Sequence, residues 1–473
     1  MRRVLLWFKQ DLRLDDHSAL RDALDADCLL PLFVLDPSLL ENGPLGSRRL
    51  GVHRTRFLLE SLAALDGALR QRGSRLLVRS GTPELIIPAL AEQFGLREVL
   101  TLEEIAPDER AQMARLRQAL GPVALREQPG NGLFRTEELP CPPEALPKVF
   151  SRFRELMDQR PTVFQPQPAP DDLPPLPDGA DSLLEPLPSL SQLGLGEPLA
   201  VPGSAFPFAG GEAAGQARVR EYLWESLGVR TYEETRNGLT GTEYSSKFSP
   251  WLSTGCLSSR RVAAELRRHE AQYGRNDSTR CLWQQLLWRE FFRWTLVRHG
   301  DALFRAGGLK ATAHAPQNLD ERFEQWCQGR TGVPLVDACM RELAATGFLA
   351  NRGRQIAASY LIHDLEQDWR YGAAWFEEHL LDYDPASNWG NWAYLAGAGS
   401  DPQRRAAFNV LRQAQRFDPE GDYVGLWLPE LQHVPPALRH TPFLLPRLQL
   451  ETLQYPRLER IPSDWRPYLP SVA

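Results

Sequence analysis

Four short apolar runs punctuate the first part of the chain: VLLWF (4–8), CLLPLFVL (28–35), RLLVR (75–79) and EVLTL (98–102). Runs of this length predict buried strands. Between them the spacing lengthens to a helical period. In residues 53–73, Phe57, Leu58, Leu62, Leu65 and Leu69 mark one face. Strands alternating with helices predict an α/β domain over 1–133, built on a doubly wound parallel sheet. Such sheets take ligands at the carboxyl ends of their strands. No GxGxxG follows the first strand, so a Rossmann dinucleotide site is not expected there. Regular patterning stops across 161–209, where proline is too dense for helix or central strand. Residues 134–210 therefore read as a long Pro-rich connector laid over the surface of two domains. From 211 to 473 the pattern is helical almost throughout, without internal repeats. This predicts a large all-helical second domain.

Hydrophobic content of 42% and charged content of 24% are those of a globular protein. No apolar run is long enough to span a membrane. The N-terminal MRRVLLWFKQ lacks the length and the cleavage site of a signal peptide, so the cytoplasm is the default expectation. The six cysteines are scattered without a CxxC pair, so neither a zinc site nor a disulfide framework is expected. The net charge of -6 lies in residues 1–210, while residues 211–473 balance. Nearly all positive charge is arginine, which grips phosphate through a planar fork. Twelve of the 13 tryptophans follow residue 211. Core packing is the plainer reading of that excess; stacking on a flat ligand or on bases is the sharper one.

Candidate chemistry concentrates in four stretches. LDYDPASNWGNWAY (381–394) reads as a helix start, with Asp384 as N-cap and Pro385 in the first helical position. Asn388 and Trp392 then share a face. TYEETRNGLTGTEYSSKFSPWLSTGCLS (231–258) runs hydroxyls and glycine into a helix, which suits a phosphate. LLWREFFRW (286–294) interleaves arginine with aromatics, and GFLANRGRQ (347–355) aligns Asn351, Arg354 and Gln355.

Together these stretches, with NDSTRCLWQQLLWREFF (276–292) and WFKQDLRLDDHSAL (7–20), resemble the photolyase/cryptochrome flavoprotein family over nearly the whole chain. The likeness is strongest to the DASH-type cryptochromes. It implies an all-helical domain holding FAD in a bent form. Tyr232 and Ser245, Ser246, Lys247, Phe248 and Ser249 match the flavin phosphate-binding segment. Arg289, Phe348, Asn351, Arg354, Asp382 and Asp384 match other flavin contacts, and Asn388 matches the residue beside flavin N5. An arginine near the ring would favour the reduced anion, with Asp382 orienting Arg354. Trp392 and then Trp369 match a chain of tryptophans through which photoreduction draws electrons. The family's third tryptophan would stand at position 316, which is Pro316 here. The exit from the chain must then differ.

The resemblance also implies a DNA substrate. Gln285 stands where many photolyases have a glutamate against the damaged bases. Gln355 and Tyr394 replace a methionine and a tryptophan of duplex-acting enzymes, while Trp288 matches a stacking wall. A smaller, more polar pocket favours bases already unstacked, hence single strands. Arg236 and Arg352 match phosphate contacts. Six-four photolyases carry histidines around positions 351 and 355, and none stands there. Glu109 matches an acid that can hold a folate antenna; its other reading is a first-turn helix glutamate. The expected function is blue-light repair of cyclobutane pyrimidine dimers by a monomeric enzyme without a metal. The alternative is a photoreceptor using the same flavin as a switch.

Overall fold

The computed structural model describes residues 1–159, 162–199, 201–310, 319–400, 407–458 and 460–470. Five parallel strands form one sheet: β1 (Arg3–Phe8), β2 (Cys28–Leu35), β3 (Leu77–Ser80), β4 (Glu98–Leu102) and β5 (Ala124–Gln128), in the order β3-β2-β1-β4-β5. All eight residues of β2 are buried, as expected for a strand covered on both faces. Leu5 pairs with Leu30 and Val99, and Trp7 with Leu32 and Thr101. The pleat then sorts the side chains. Leu5, Trp7, Leu30 and Leu32 face helices Pro83–Gln93 and Pro107–Ala119, through Ile87, Leu90, Met113 and Leu116. Val4, Leu6 and Phe8 face helix Val52–Arg70 and join a core that continues into the helical half. The strand order reverses at β1, which puts a switch-point crevice between β1 and β4.

The connector is anchored. Phe164, Leu190, Ala205 and Phe206 are buried, the Leu29 amide donates to the Pro175 carbonyl, and Arg72 donates to that of Pro170. The loop after β1 is the joint between the halves. Glu212 accepts from the Leu14 and Asp15 amides at 2.8 and 3.0 Å, and Arg261 grips Asp15 with two bonds. Gly255, at φ +71°, touches this loop so closely that a Cβ would collide with the Gln10 carbonyl.

In the helical half, helix Asp277–His299 is the longest and packs on helix Pro385–Leu395. Nine of the twelve tryptophans after residue 211 are buried: 251, 283, 294, 326, 369, 389, 392, 427 and 465. Core packing thus accounts for most of that excess, and the stacking reading is left to a few rings.

Candidate functional site

Helix Pro385–Leu395 starts as its sequence dictates. Asp384 caps it, accepting from the Ser387 amide at 2.7 Å, and Pro385 occupies the first turn. One turn on, Asn388 is 8% exposed and donates through Nδ2 to the Ala373 carbonyl at 2.9 Å. That bond fixes the amide plane and points its carbonyl oxygen elsewhere. Trp392 follows on the same face, buried edge-on against Phe376 at 5.1 Å and Trp326 at 6.2 Å. Its indole lies on Gly372, where any Cβ would strike the ring.

Beside this helix, the Leu381 amide donates to the Gly347 carbonyl at 2.8 Å, joining two of the motif stretches. The joint brings Arg354 to Asp382, with Nη2 and Oδ2 2.9 Å apart, while Arg354 Nε donates to the Leu349 carbonyl. Asp382 Oδ1 is buried and has no partner. The serine-rich loop closes the third side. Arg218 donates to the Ser245 and Ser246 carbonyls at 2.9 and 3.1 Å and so shapes the loop. Lys247, at φ +60°, turns inward. Its ammonium is buried over the Tyr244 ring at 3.2 Å and the Phe348 ring at 4.8 Å, with no hydrogen-bond partner. Burial pushes it down to about 6. Glu342, accepting from the Tyr423 hydroxyl at 2.6 Å, is pushed up by burial to about 8. Phe348 stacks on Phe206, and Phe248 packs edge-on against Tyr222. Tyr232 is buried, which pushes its phenol up to about 12. Ser249 and Asn351 are exposed.

The unpartnered atoms test whether a flavin dinucleotide fits. Lys247 Nζ, Asp382 Oδ1, Tyr244 Oη and Tyr222 Oη are all buried without a hydrogen bond. Native proteins rarely leave such groups unsatisfied. A ligand with phosphates and a polar ring edge supplies both acceptors and donors, so the residues fit FAD.

Arg289 bonds to backbone carbonyls and not to the side chains of this set. Its guanidinium donates to the Asn131 carbonyl at 2.8 Å and the Leu252 carbonyl at 3.4 Å, at the joint between the halves. The two relay rings have different ring neighbours. Trp392 meets Trp326, whereas Trp369 meets Trp389 at 5.8 Å. Position 316 lies outside the described residues.

A second face carries the expected DNA contacts. Gln285 donates to the Cys281 carbonyl, and Arg236 reaches the Cys281 sulfur at 3.1 Å. Trp288 stands edge-on to Tyr394 at 6.0 Å, but Phe150 of the connector stacks on it at 3.7 Å. Arg352 is tied to Asn237 Oδ1 and lies over Phe417. Burial, then the positive fields of Arg236 and Arg416, push Arg352 down from its ordinary value. Among the described residues, none of these three arginines is paired with a carboxylate. Gln355 is half-buried.

Glu109 sits in the first turn of helix Pro107–Ala119, as its plainer reading requires. It also pairs with Arg49 at 3.0 Å, and Arg49 reaches Glu377 of the helical half at 3.3 Å. Burial pushes the Glu109 carboxyl up. A separate cavity of about 330 Å³ lies at the carboxyl ends of β2 and β3, lined by Leu35, Leu39, Leu40, Leu50 and Leu58 among others. Among the described residues no cluster of three metal ligands occurs, and no helix is long and apolar enough to cross a membrane.

Reading the sequence alone missed Arg218, Tyr244, Glu342, Arg416 and Phe150. Two had a visible signal: Tyr244 lies within the 231–258 stretch, and Arg416 is among the arginines of the second half.

The chain matches the family model for DNA photolyase over residues 4–172 and that for the FAD binding domain of DNA photolyase over residues 282–461. It is 45% identical to the cryptochrome DASH of Gloeobacter violaceus, over 93% of this chain and 88% of that one. Its fold is similar to the crystal structure of a Synechocystis cryptochrome, with a TM-score of 0.91 and 38% identity over 97% of this chain and 96% of that one. An archaeal photolyase from Sulfolobus tokodaii, solved with two FAD molecules, gives 0.75 and 25% over 98% of each chain. The chain therefore belongs to the photolyase/cryptochrome family, among the DASH cryptochromes, and carries that family's FAD-binding domain.

Proposed function

We propose that this protein is a light-driven lyase that splits cyclobutane pyrimidine dimers in DNA, preferring single strands. The observation that carries the reading is the shared face around Cys281. There the polar Gln285, the Trp288–Tyr394 wall and the unpaired Arg236, Arg352 and Arg416 stand together. Bound FAD supplies, when reduced and lit, a single electron. The protein's residues prepare that transfer. Arg354 places a positive charge at the flavin site and Asp382 holds it in orientation. Asn388, fixed by the Ala373 carbonyl, offers a neutral amide at the ring edge. The Lys247 amine, pushed down by burial, would regain its proton beside the negative charge of bound cofactor, where that attraction is strong.

On the other face the arginines take phosphates and fix the strand. Gln285 can donate to and accept from the dimer bases without a charge. The aromatic wall is small and Phe150 already covers part of it. A dimer drawn from a duplex would need more stacking energy than this pocket returns, so an unstacked strand is the better substrate. Glu109 and Arg49 would hold a folate antenna at the boundary of the two halves, and the apolar cavity at β2 and β3 is a second place for a flat chromophore. The protein works as a monomer in this reading.

The Phe150–Trp288 stack is also what favours the second reading, a photoreceptor whose base pocket is closed. A blue-light assay on dimer-containing oligonucleotides separates the two. Repair of single strands, faster than of duplex, is the expected result. A flavin that cycles in light while no dimer disappears would make the photoreceptor the better reading.

A further inference from the structure

The relay needs an exit that this sequence does not provide at the usual place. Proline stands at position 316 and has no ring to oxidise. The electron missing from Trp369 must come from another side chain. Two buried indoles are candidates by contact. Trp326 touches Trp392 edge-on at 6.2 Å, and Trp389 touches Trp369 edge-on at 5.8 Å.

The partner of each indole N–H decides between them. An indole that has lost an electron carries a positive charge and becomes a strong N–H acid. It is held best beside a negative charge that can also take its proton. Trp326 Nε1 donates to the Ala357 carbonyl at 3.1 Å, and Trp369 Nε1 donates to the Ala306 carbonyl at 3.1 Å. A backbone carbonyl carries no net charge and takes up no proton near neutrality. Trp389 Nε1 lies 3.3 Å from Glu377 Oε2 and 3.3 Å from the Tyr383 hydroxyl oxygen. Glu377 is 7% exposed, so its field on the indole is little screened. Its other oxygen is held by Arg49, whose side chain is 31% exposed and leads outward.

We propose that Trp389 is the exit of the electron relay and that the Glu377 carboxylate accepts its indole proton. The proposal rests on the reading of Trp392 as the flavin's donor. With FAD bound and oxidised, one electron would leave Trp392 for it. Trp369 refills Trp392, and Trp389 refills Trp369. The Nε1–H bond of Trp389 then breaks, its proton passing to Glu377 Oε2 and leaving a neutral tryptophanyl radical. A soluble thiolate would close the cycle by giving up one electron and becoming a thiyl radical, while Glu377 returns the proton to Trp389 Nε1. The flavin gains the electron that the thiol loses.

Transient absorption after a blue flash tests this in the FAD-loaded protein, with flavin content measured in each variant. Trp389→Phe should lower the yield of lasting photoreduction as far as Trp369→Phe does. Glu377→Gln should leave the spectrum of a protonated tryptophanyl radical in place of the neutral one. Trp326→Phe should leave the yield unchanged. An unchanged yield in Trp389→Phe, with a lost yield in Trp392→Phe, overturns the exit alone. An unchanged yield in Trp392→Phe overturns the relay on which it rests. Should Trp389→Phe fail to hold flavin, the unmodified protein still decides. After prolonged illumination in air without thiol, peptide mapping should find the oxidised indole at Trp389. Oxidation confined to Trp326, or to Tyr371 on helix Trp369–His379, would overturn the proposal.

Discussion

The two halves each offer room for a flat chromophore, and they build it in opposite ways. The α/β half has a cavity of about 330 Å³ at the ends of β2 and β3, walled mainly by apolar side chains, leucines among them. An apolar cavity can stand dry and empty at modest cost. Among the described residues, none of the buried unpaired side-chain atoms of the α/β half lines that cavity, whereas the helical half gathers Lys247 Nζ, Asp382 Oδ1 and two tyrosine hydroxyls, all buried and unpaired. Each such group costs about 1–3 kcal/mol until something bonds it, more if charged. One half thus has an optional site, while the other is incomplete without its ligand.

The sharpest way to break this contrast is Arg354→Ala. Asp382, with 4% of its side chain exposed, would lose the cation that it bonds. Removing one partner of a buried pair costs about 3–5 kcal/mol. The variant should be purified without FAD and melt early. A yellow variant with ordinary melting would deny the pair its role.

Trp392→Phe should come next. Photoreduction should be lost, while repair by chemically reduced protein persists, because that electron comes from the flavin itself. Packing against Phe376 and Gly372 should cost no more than about 1.5 kcal/mol, since most of the volume is kept. An unmodified photoreduction rate would remove Trp392 from the relay.

A pH profile of the flavin-free protein tests the buried charges. Lys247, pushed down to about 6, is neutral above that pH in the folded state while the unfolded chain still binds the proton, so stability rises with pH. Glu342, pushed up to about 8, keeps below that pH a proton the unfolded chain has lost, so stability falls with pH. Between pH 6 and 8 the two slopes cancel. Glu342→Gln removes the second. The variant's stability should rise by about 1.4 kcal/mol per pH unit above pH 7, where Asp364, pushed up by burial to about 7, no longer opposes it, read from its thermal midpoint. A flat profile would mean that Lys247 keeps its proton.

The smallest effect belongs to the boundary of the halves. Glu109→Ala should abolish a folate band in the near ultraviolet and change stability by no more than about 1 kcal/mol, because its pair with Arg49 is partly exposed. Unchanged pigment would return Glu109 to its place as a first-turn glutamate.

Much of this was legible in the chain. Four strands were visible because continuous apolar runs mark strands buried on both faces. β5, ALREQ, was not, since at the sheet edge its residues are exposed or half-buried and carry no such run. Asp384, Pro385, Asn388 and Trp392 were legible because capping and helical spacing are local rules. The partners of Lys247 were not, because Phe348 and Glu342 meet it only through tertiary packing and Tyr244 only through the left-handed turn at Lys247. The order of the tryptophans was hidden for the same reason. Sequence spacing places Trp392 one turn from Asn388, but nothing local says that its ring turns to Trp326 and that of Trp369 to Trp389.

The central claim is that the orphaned polar groups of the helical half, and not the leucine-lined cavity, hold the FAD on which activity depends. The direct measurement is titration of FAD into flavin-free protein, followed by melting, in the unmodified chain, in Asp382→Asn and in Leu39→Trp, which fills the cavity. The unmodified protein should take up one essential FAD and gain about 2.7 kcal/mol at a hundredfold excess over its Kd. Leu39→Trp should keep that gain and Asp382→Asn should lose it. The reverse pattern, with FAD retained by Asp382→Asn and lost by Leu39→Trp, would contradict the account.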